Sequence, residues 1–218
     1  MHKDFNIDYD RKNRLGFDEV IFGSSKDVEL LIELLKEYES KKQNVLITKL
    51  QKEKADILKK HFDSTFYDSS SQIFTLYPLQ PLKGPNRVGV ITAGSSDSFV
   101  ANEAFYTLQY MGYSAERICD IGVAGLHRLL NRLDELKRFE VLIVIAGFEG
   151  ALPTVMGGLL PQPIIAVPTS VGYGLSKDGI TALHGMLSSC ANGLLVTNID
   201  NGYGAAMAAI RILNVIKK

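Results

Sequence analysis

Residues 141–147 read VLIVIAG, seven in a row without a polar side chain, and FEGALPTVMGG follows at 148–158. The run is far shorter than the roughly 18–20 apolar residues a membrane span needs. It is also too uniform for a strand with one wet face. It fits a strand buried on both faces, inside a parallel sheet that helices cover on each side. The flanking sequence repeats the pattern. Strands are expected at 87–92, 114–119, 163–168 and 193–198, with helices at about 95–111, 125–136, 152–160, 180–189 and 205–217. Strand then helix, five times over, predicts an α/β fold: a doubly wound parallel sheet in a flavodoxin/Rossmann-like three-layer sandwich.

Upstream of 87 the composition changes. Residues 1–85 carry 28 of the 48 charged residues but only 3 of the 19 glycines. YPLQPLKGP at 77–85, with Pro78, Pro81 and Pro85, sits at the change and reads as an extended linker. The chain therefore divides into a small α/β N-terminal domain with linker, 1–85, and a larger domain, 86–218. In the first, strands are expected at 19–22, 44–48, 65–68 and 72–77, and helices at 27–39 and 53–61. Lysine plus arginine equal aspartate plus glutamate at 24 each, so no basic excess points to nucleic acid or an acidic membrane surface. The opening MHKDFNIDYDRKNR is charged throughout, unlike a signal peptide. Two cysteines form neither a disulfide framework nor a metal-ligand spacing. A reduced, cytoplasmic protein is expected, with no membrane or nucleic-acid partner.

The loops after the strands carry the candidate chemistry, because open α/β sheets bind ligands there. In TAGSSD, 92–97, Gly94, Ser95, Ser96 and Asp97 leave a strand and open a helix. The turn suits a phosphate, through free N–H groups, hydroxyls and the helix dipole; it equally suits plain helix capping. Glu149 follows the apolar strand, between Gly147 and Gly150. It reads as a general base in a cleft or as a solvated loop carboxylate. PTSVGYG, 168–174, offers Thr169 and Ser170 in a turn that either wraps a ligand or is merely flexible. NIDNGYGAA, 198–206, is a second strand-to-helix turn. There Asp200 suits a ribose hydroxyl or Mg²⁺, and Gly202 and Gly204 allow close backbone approach; the turn equally suits a plain cap.

His127 and Arg128 open a helix, facing a ligand or solvent. His2, His61 and His184 form no constellation with them, so no transition-metal site is expected. Arg11 and Arg14, three apart, share a helical face that either grips a phosphate or is simply solvated. A lone cysteine such as Cys190 is ordinarily a small core residue. Reactivity would need a cationic partner; no basic residue adjoins it, but a positively charged substrate would serve. Cys119 ends a strand and is expected in the core.

Taken together, TAGSSD, DIGVAGLHRLL (120–130), AGFEGALPTVMGG (146–158), PIIAVPTSVGYG (163–174), SSCANG (188–193) and NIDNGYGAA resemble the LarB family. These are pyridinium-3,5-biscarboxylic acid mononucleotide synthases of nickel-pincer cofactor biosynthesis. DxxRxxRxGxxEVIFG at 8–23 extends the likeness into the first domain, and the second is also similar to PurE, the aminoimidazole ribonucleotide carboxylase or mutase. Phe148 stands where methionine is commoner, Lys177-Asp178 replaces smaller residues, and Phe17-Asp18 replaces a sequence with proline before Glu19.

The resemblance implies a PurE-like second domain and an enzyme acting on nicotinic acid adenine dinucleotide with CO₂ or bicarbonate. The ring is carboxylated at C5, and the anhydride is cleaved to release AMP. Cys190 is the implied nucleophile and Glu149 the implied base. Gly94 to Asp97, His127, Arg128, Thr169, Ser170, Asn198, Asp200, Asn201, Gly202, Arg11 and Arg14 are implied substrate contacts. Mg²⁺ assists, with Asp200 a candidate ligand; no organic cofactor is implied, and a homo-octamer is. The rivals are a PurE-like carboxylase or mutase acting on aminoimidazole ribonucleotide, which needs no thiol, and a non-catalytic nucleotide-binding module.

Overall fold

The computed structural model describes residues 5–216. The chain forms two compact units, Met1–Gln80 and Pro81–Lys218. His2 and Lys217 lie outside the described residues. Among the described residues no helix is long and apolar enough to cross a membrane.

The first unit runs α1 (Arg11–Leu15), β1 (Val20–Phe22), α2 (Val28–Ser40), β2 (Leu46–Thr48), α3 (Lys52–His61), β3 (Phe66–Asp68) and β4 (Ile73–Thr75). Its sheet has the order β1-β2-β4-β3, parallel between β1 and β2 and antiparallel elsewhere. The Asp27 carboxylate accepts the Leu30 N–H and starts α2. Leu31, Leu34, Leu35 and Tyr38 then recur at helical spacing and are all buried. They pack with Ile47, Leu50, Leu58 and Phe74 into one core.

The second unit runs β5 (Val88–Thr92), α4 (Ser98–Tyr110), β6 (Ala115–Ile118), α5 (Leu126–Leu130), α6 (Leu133–Leu136), β7 (Val141–Ala146), α7 (Ala151–Gly157), β8 (Ile164–Pro168), α8 (Ile180–Leu187), β9 (Leu195–Val196) and α9 (Gly202–Ile216). All five strands are parallel, in the order β6-β5-β7-β8-β9. Every residue of β7 is buried, as its composition requires. α4 and α9 pack on each other against β5 to β8, while α7 and α8 pair against β7 to β9. This is the doubly wound three-layer sandwich.

The departures have local causes. The helix expected at 95–111 begins as a 3₁₀ turn, Ser95–Asp97, because Asp97 folds back onto the Gly94 N–H. The helix expected at 125–136 breaks at Asn131 and Arg132 into α5 and α6. Asparagine competes with the helix backbone for hydrogen bonds, and the break lets Leu129, Leu133 and Leu136 reach the same core. α7 stops at Gly157, with Gly158 as its C-cap, short of Leu160. The strand expected at 193–198 pairs through Leu195 and Val196 only, at the sheet edge.

Cys119 is exposed rather than in the core. It follows Ile118, the last residue of edge strand β6, whose side chain takes the buried face. Asp120 then turns away with φ +61°.

Candidate functional site

The strand order reverses beside β5, which lies between β6 and β7. The loops after these three strands splay apart there and leave a cleft of about 350 Å³. A crevice outside the carboxyl ends of the strands at such a switch point is where open α/β sheets bind ligands.

Asp97 forms the floor. It is 3% exposed. Its Oδ2 accepts the Gly94 N–H at 2.9 Å, and its Oδ1 accepts the Thr169 hydroxyl at 2.7 Å. One carboxylate thus joins the loops after β5 and β8. Burial pushes its pKa above the ordinary carboxylate value, against the pull of the Thr169 and Gly94 hydrogen bonds; the charge of Asp200 adds to the rise.

Glu149 lies on the wall, exposed, and its carboxylate makes no hydrogen bond or ion pair among the described residues. The turn that presents it owes its shape to the two flanking glycines. A Cβ at Gly147 would lie 2.3 Å from the Val171 carbonyl oxygen and 2.7 Å from Thr169 Oγ1. Gly150 has φ +67° and would press on the Ala182 carbonyl at 2.8 Å. The glycines therefore let the turn dock on the β8 loop and on α8, rather than merely leaving Glu149 uncovered. On the opposite wall Arg128 reaches the cleft, with Nη1 held 2.6 Å from Asp120 Oδ2.

Gly94, Ser96, Asp97, Arg128 and Glu149 line this one cleft. Ser95 and His127 do not; the Ser95 carbonyl accepts the Ser98 hydroxyl, and His127 is exposed. Thr169, Ser170, Asn198, Asp200, Asn201 and Gly202 form an adjoining cluster tied to the cleft through Thr169 and Asp97. Asp200 Oδ1 accepts the Ser170 N–H at 2.8 Å, and Asn201 Oδ1 accepts the Gly204 N–H. Gly202 N–H donates to buried Glu103, which anchors the start of α9.

A protein-built Mg²⁺ cage does not fit this arrangement. Both Asp97 oxygens and one of Asp200 already accept protein hydrogen bonds. Among the described residues no three acidic, histidine or cysteine side chains converge as a cation site.

Cys190 is exposed and not among the residues lining the cleft. It follows the far end of α8, where the Ser189 hydroxyl bonds Thr154 and Ala191 packs on Gly157. It is not in the core, and it does not line this cleft. Arg11 and Arg14, in the first unit, are engaged by Asp8, and Arg14 also by Asp10. A cavity of about 310 Å³ between β1 and α2 is lined by neither.

The sequence reading missed Phe148 and Val171 in the cleft, and Asp120 as the partner of Arg128. Val171 lies within the PTSVGYG turn, where the hydroxyls drew attention instead. Phe148 stands out in the sequence only as a replacement for the commoner methionine, which does not place it in the cleft; its φ is +54°.

Residues 2–78 match the family described as LarB/PurE-like N-terminal domain, and 87–218 match AIR carboxylase. The chain belongs to the LarB family. An uncharacterized protein of Methanocaldococcus jannaschii is 37% identical over 97% of this chain and 85% of its own length. N5-carboxyaminoimidazole ribonucleotide mutases of Pyrococcus horikoshii and Pyrococcus abyssi are each 30% identical. They cover 59% and 61% of this chain, and 72% and 76% of their own lengths. This LarB-family chain is therefore a PurE-like member of a carboxylase/mutase family, a carboxylase-type enzyme. Its cleft lies within the part that matches AIR carboxylase.

Proposed function

We propose that the protein carboxylates the pyridinium ring of nicotinic acid adenine dinucleotide at C5, using CO₂ or bicarbonate, and releases AMP. The observation that carries this reading is Glu149, a carboxylate at the end of the central strand with no partner among the described residues, in a chain with LarB-type and PurE-type domains in tandem.

An electron-poor ring carbon does not attack CO₂. Addition of the Cys190 thiolate at C4 forms a C–S bond and moves an electron pair onto the ring nitrogen. The neutral dihydropyridine is an enamine, and its C5 attacks CO₂. Glu149 then takes the C5 proton, and the thiolate leaves with the C–S pair as aromaticity returns. Covalent catalysis splits one forbidding step into easier ones, and the cationic ring favours the thiolate by Coulomb attraction. Water cleaves the anhydride to give the mononucleotide and AMP. Asp97, Ser96 and the Asp200 turn position the phosphates. Mg²⁺ enters as a counterion of the substrate's pyrophosphate, with no step assigned to it.

Since Cys190 lies outside its own chain's cleft, the reading assigns the thiol to a second copy within a homo-octamer. The test is mass spectrometry of products from the dinucleotide, bicarbonate and Mg²⁺. A mononucleotide with one added carboxyl, plus AMP, is expected. Cys190→Ser and Glu149→Gln should each abolish it, and mixed oligomers of the two should regain part of it. Unchanged dinucleotide with folded protein overturns the reading. It would favour the second one, a mutase acting on N5-carboxyaminoimidazole ribonucleotide, which the two Pyrococcus relatives support and which needs no thiol.

A further inference from the structure

An aromatic ring lining the cleft packs against a second, exposed one. Phe148 is the first and is 43% exposed; Tyr173, on the loop after β8, is 77% exposed. Their centroids are 5.5 Å apart and their planes meet at 88°. They make an open corner, in which a flat ring lying face-on to one meets the other with its edge.

The corner is built, not incidental. Phe148 adopts φ +54°, a left-handed region that a bulky non-glycine residue rarely takes. Its N–H donates to the Val171 carbonyl at 2.8 Å, and Gly150 N–H closes the turn on the Gly147 carbonyl. The Tyr173 loop is tied as well. Ser176 N–H donates to the Tyr173 carbonyl, and the Thr181 hydroxyl to that of Leu175. A backbone held in a disfavoured region by its surroundings is a pointer to function.

The charges around the corner select the kind of ring. The ionisable residues lining the cleft are Asp97, Glu149 and Arg128, and Arg128 is neutralised by Asp120. That leaves electron-rich ring faces beside the Glu149 carboxylate, which has no partner among the described residues. Such surroundings favour a planar organic cation over a neutral ring.

We propose that Phe148 and Tyr173 form the seat of the substrate's pyridinium ring and set specificity for its positive charge. The inference rests on the pyridinium reading above and adds to it the residues that tell a charged ring from a neutral one. Because thiolate addition neutralises the ring, the seat stabilises bound substrate more than the adduct, so its loss should raise KM without lowering kcat.

The experiment is calorimetric titration of the full chain with nicotinic acid mononucleotide and with its ring-reduced dihydro form, alongside light scattering. Wild type should prefer the charged ring. Tyr173→Ala should weaken the charged nucleotide about tenfold, leave the reduced form within about twofold and keep the oligomer intact, while Tyr173→Phe holds the wild-type preference. Equal weakening of both nucleotides, or a changed oligomer, would make Tyr173 a packing residue and overturn the proposal. An unchanged preference in Tyr173→Ala would overturn it while leaving the pyridinium reading intact. Wild type that binds neither nucleotide removes both.

Discussion

The two units contain nearly the same turn and use it in opposite ways. β1 is followed by Gly23-Ser24-Ser25-Lys26-Asp27 and a helix; β5 is followed by Gly94-Ser95-Ser96-Asp97 and a helix. In the first unit the loop is closed from within. The Lys54 ammonium donates to the carbonyls of Gly23, Ser24 and Lys26, and a Cβ at Gly23 would lie 2.8 Å from Ile47 Cγ2. In the second unit a Cβ at Gly94 would find nothing nearer than 3.7 Å, and Gly94 lines the cleft. Asp27 caps its helix from the surface, whereas Asp97 is buried and braces two loops. A glycine-serine turn after a strand therefore does not make a site by itself. The side chains that reach it from elsewhere in the fold decide whether it is a packed corner or an open one.

Substitutions can break this contrast, the largest first. Lys54→Met removes the cation that satisfies three carbonyls. With the loop half solvated, the expected loss is about 2–3 kcal/mol, read by chemical denaturation of the full chain. Gly23→Ala forces a methyl against Ile47, Leu50 and the Thr48 carbonyl, all closer than 3.3 Å; overpacking of this kind should destabilise by about 1–2 kcal/mol. Gly94→Ala, chemically the same change, should alter stability by less than about 0.5 kcal/mol. Its φ of −130° suits alanine, but the methyl points into the cleft and should weaken binding of nicotinic acid mononucleotide. If the two glycine variants lose equal stability, the contrast fails.

The same physics explains what the sequence made legible. The three central strands could be read because burial on both faces leaves a nearly uninterrupted apolar run, as in β7, whereas edge strands β6 and β9 were legible only from the alternation with helices. Gly94, Ser96, Asp97, Arg128 and Glu149 were placed together because strand ends of a parallel sheet converge on one edge. The rest depended on contacts distant in sequence. Phe148 takes its backbone from Val171, Arg128 is claimed by Asp120, and the edge position of β6 exposes Cys119. Cys190 illustrates the limit most sharply. Its order in the chain, between a helix and a strand that leads to a glycine turn, suggests closeness to the pocket, yet it is not among the residues that line the cleft. The pairing of Lys54 with the first turn, 28 to 31 residues apart in sequence, left no local mark either.

The finest distinction between the two turns lies in their aspartates. Asp27→Asn replaces one good N-cap by another and should change stability by only a few tenths of a kcal/mol. Asp97→Asn should show a pH-dependent difference from wild type. Burial raises the pKa of Asp97 in the folded protein above its reference value of 3.8. Between the two values the folded state binds more protons than the unfolded state, so its contribution is fully present below 3.8 and is lost as pH rises through the folded value. The stability of wild type relative to Asp97→Asn should therefore increase as pH is lowered from neutral toward 4, although both proteins lose stability to the acid titration of other carboxylates. Parallel urea titrations across that range measure the difference directly. A difference that is flat with pH, or that falls on acidification, would mean that the hydrogen bonds from Thr169 and Gly94 outweigh the burial of Asp97, and that the floor of the cleft carries a comfortable carboxylate rather than a strained one.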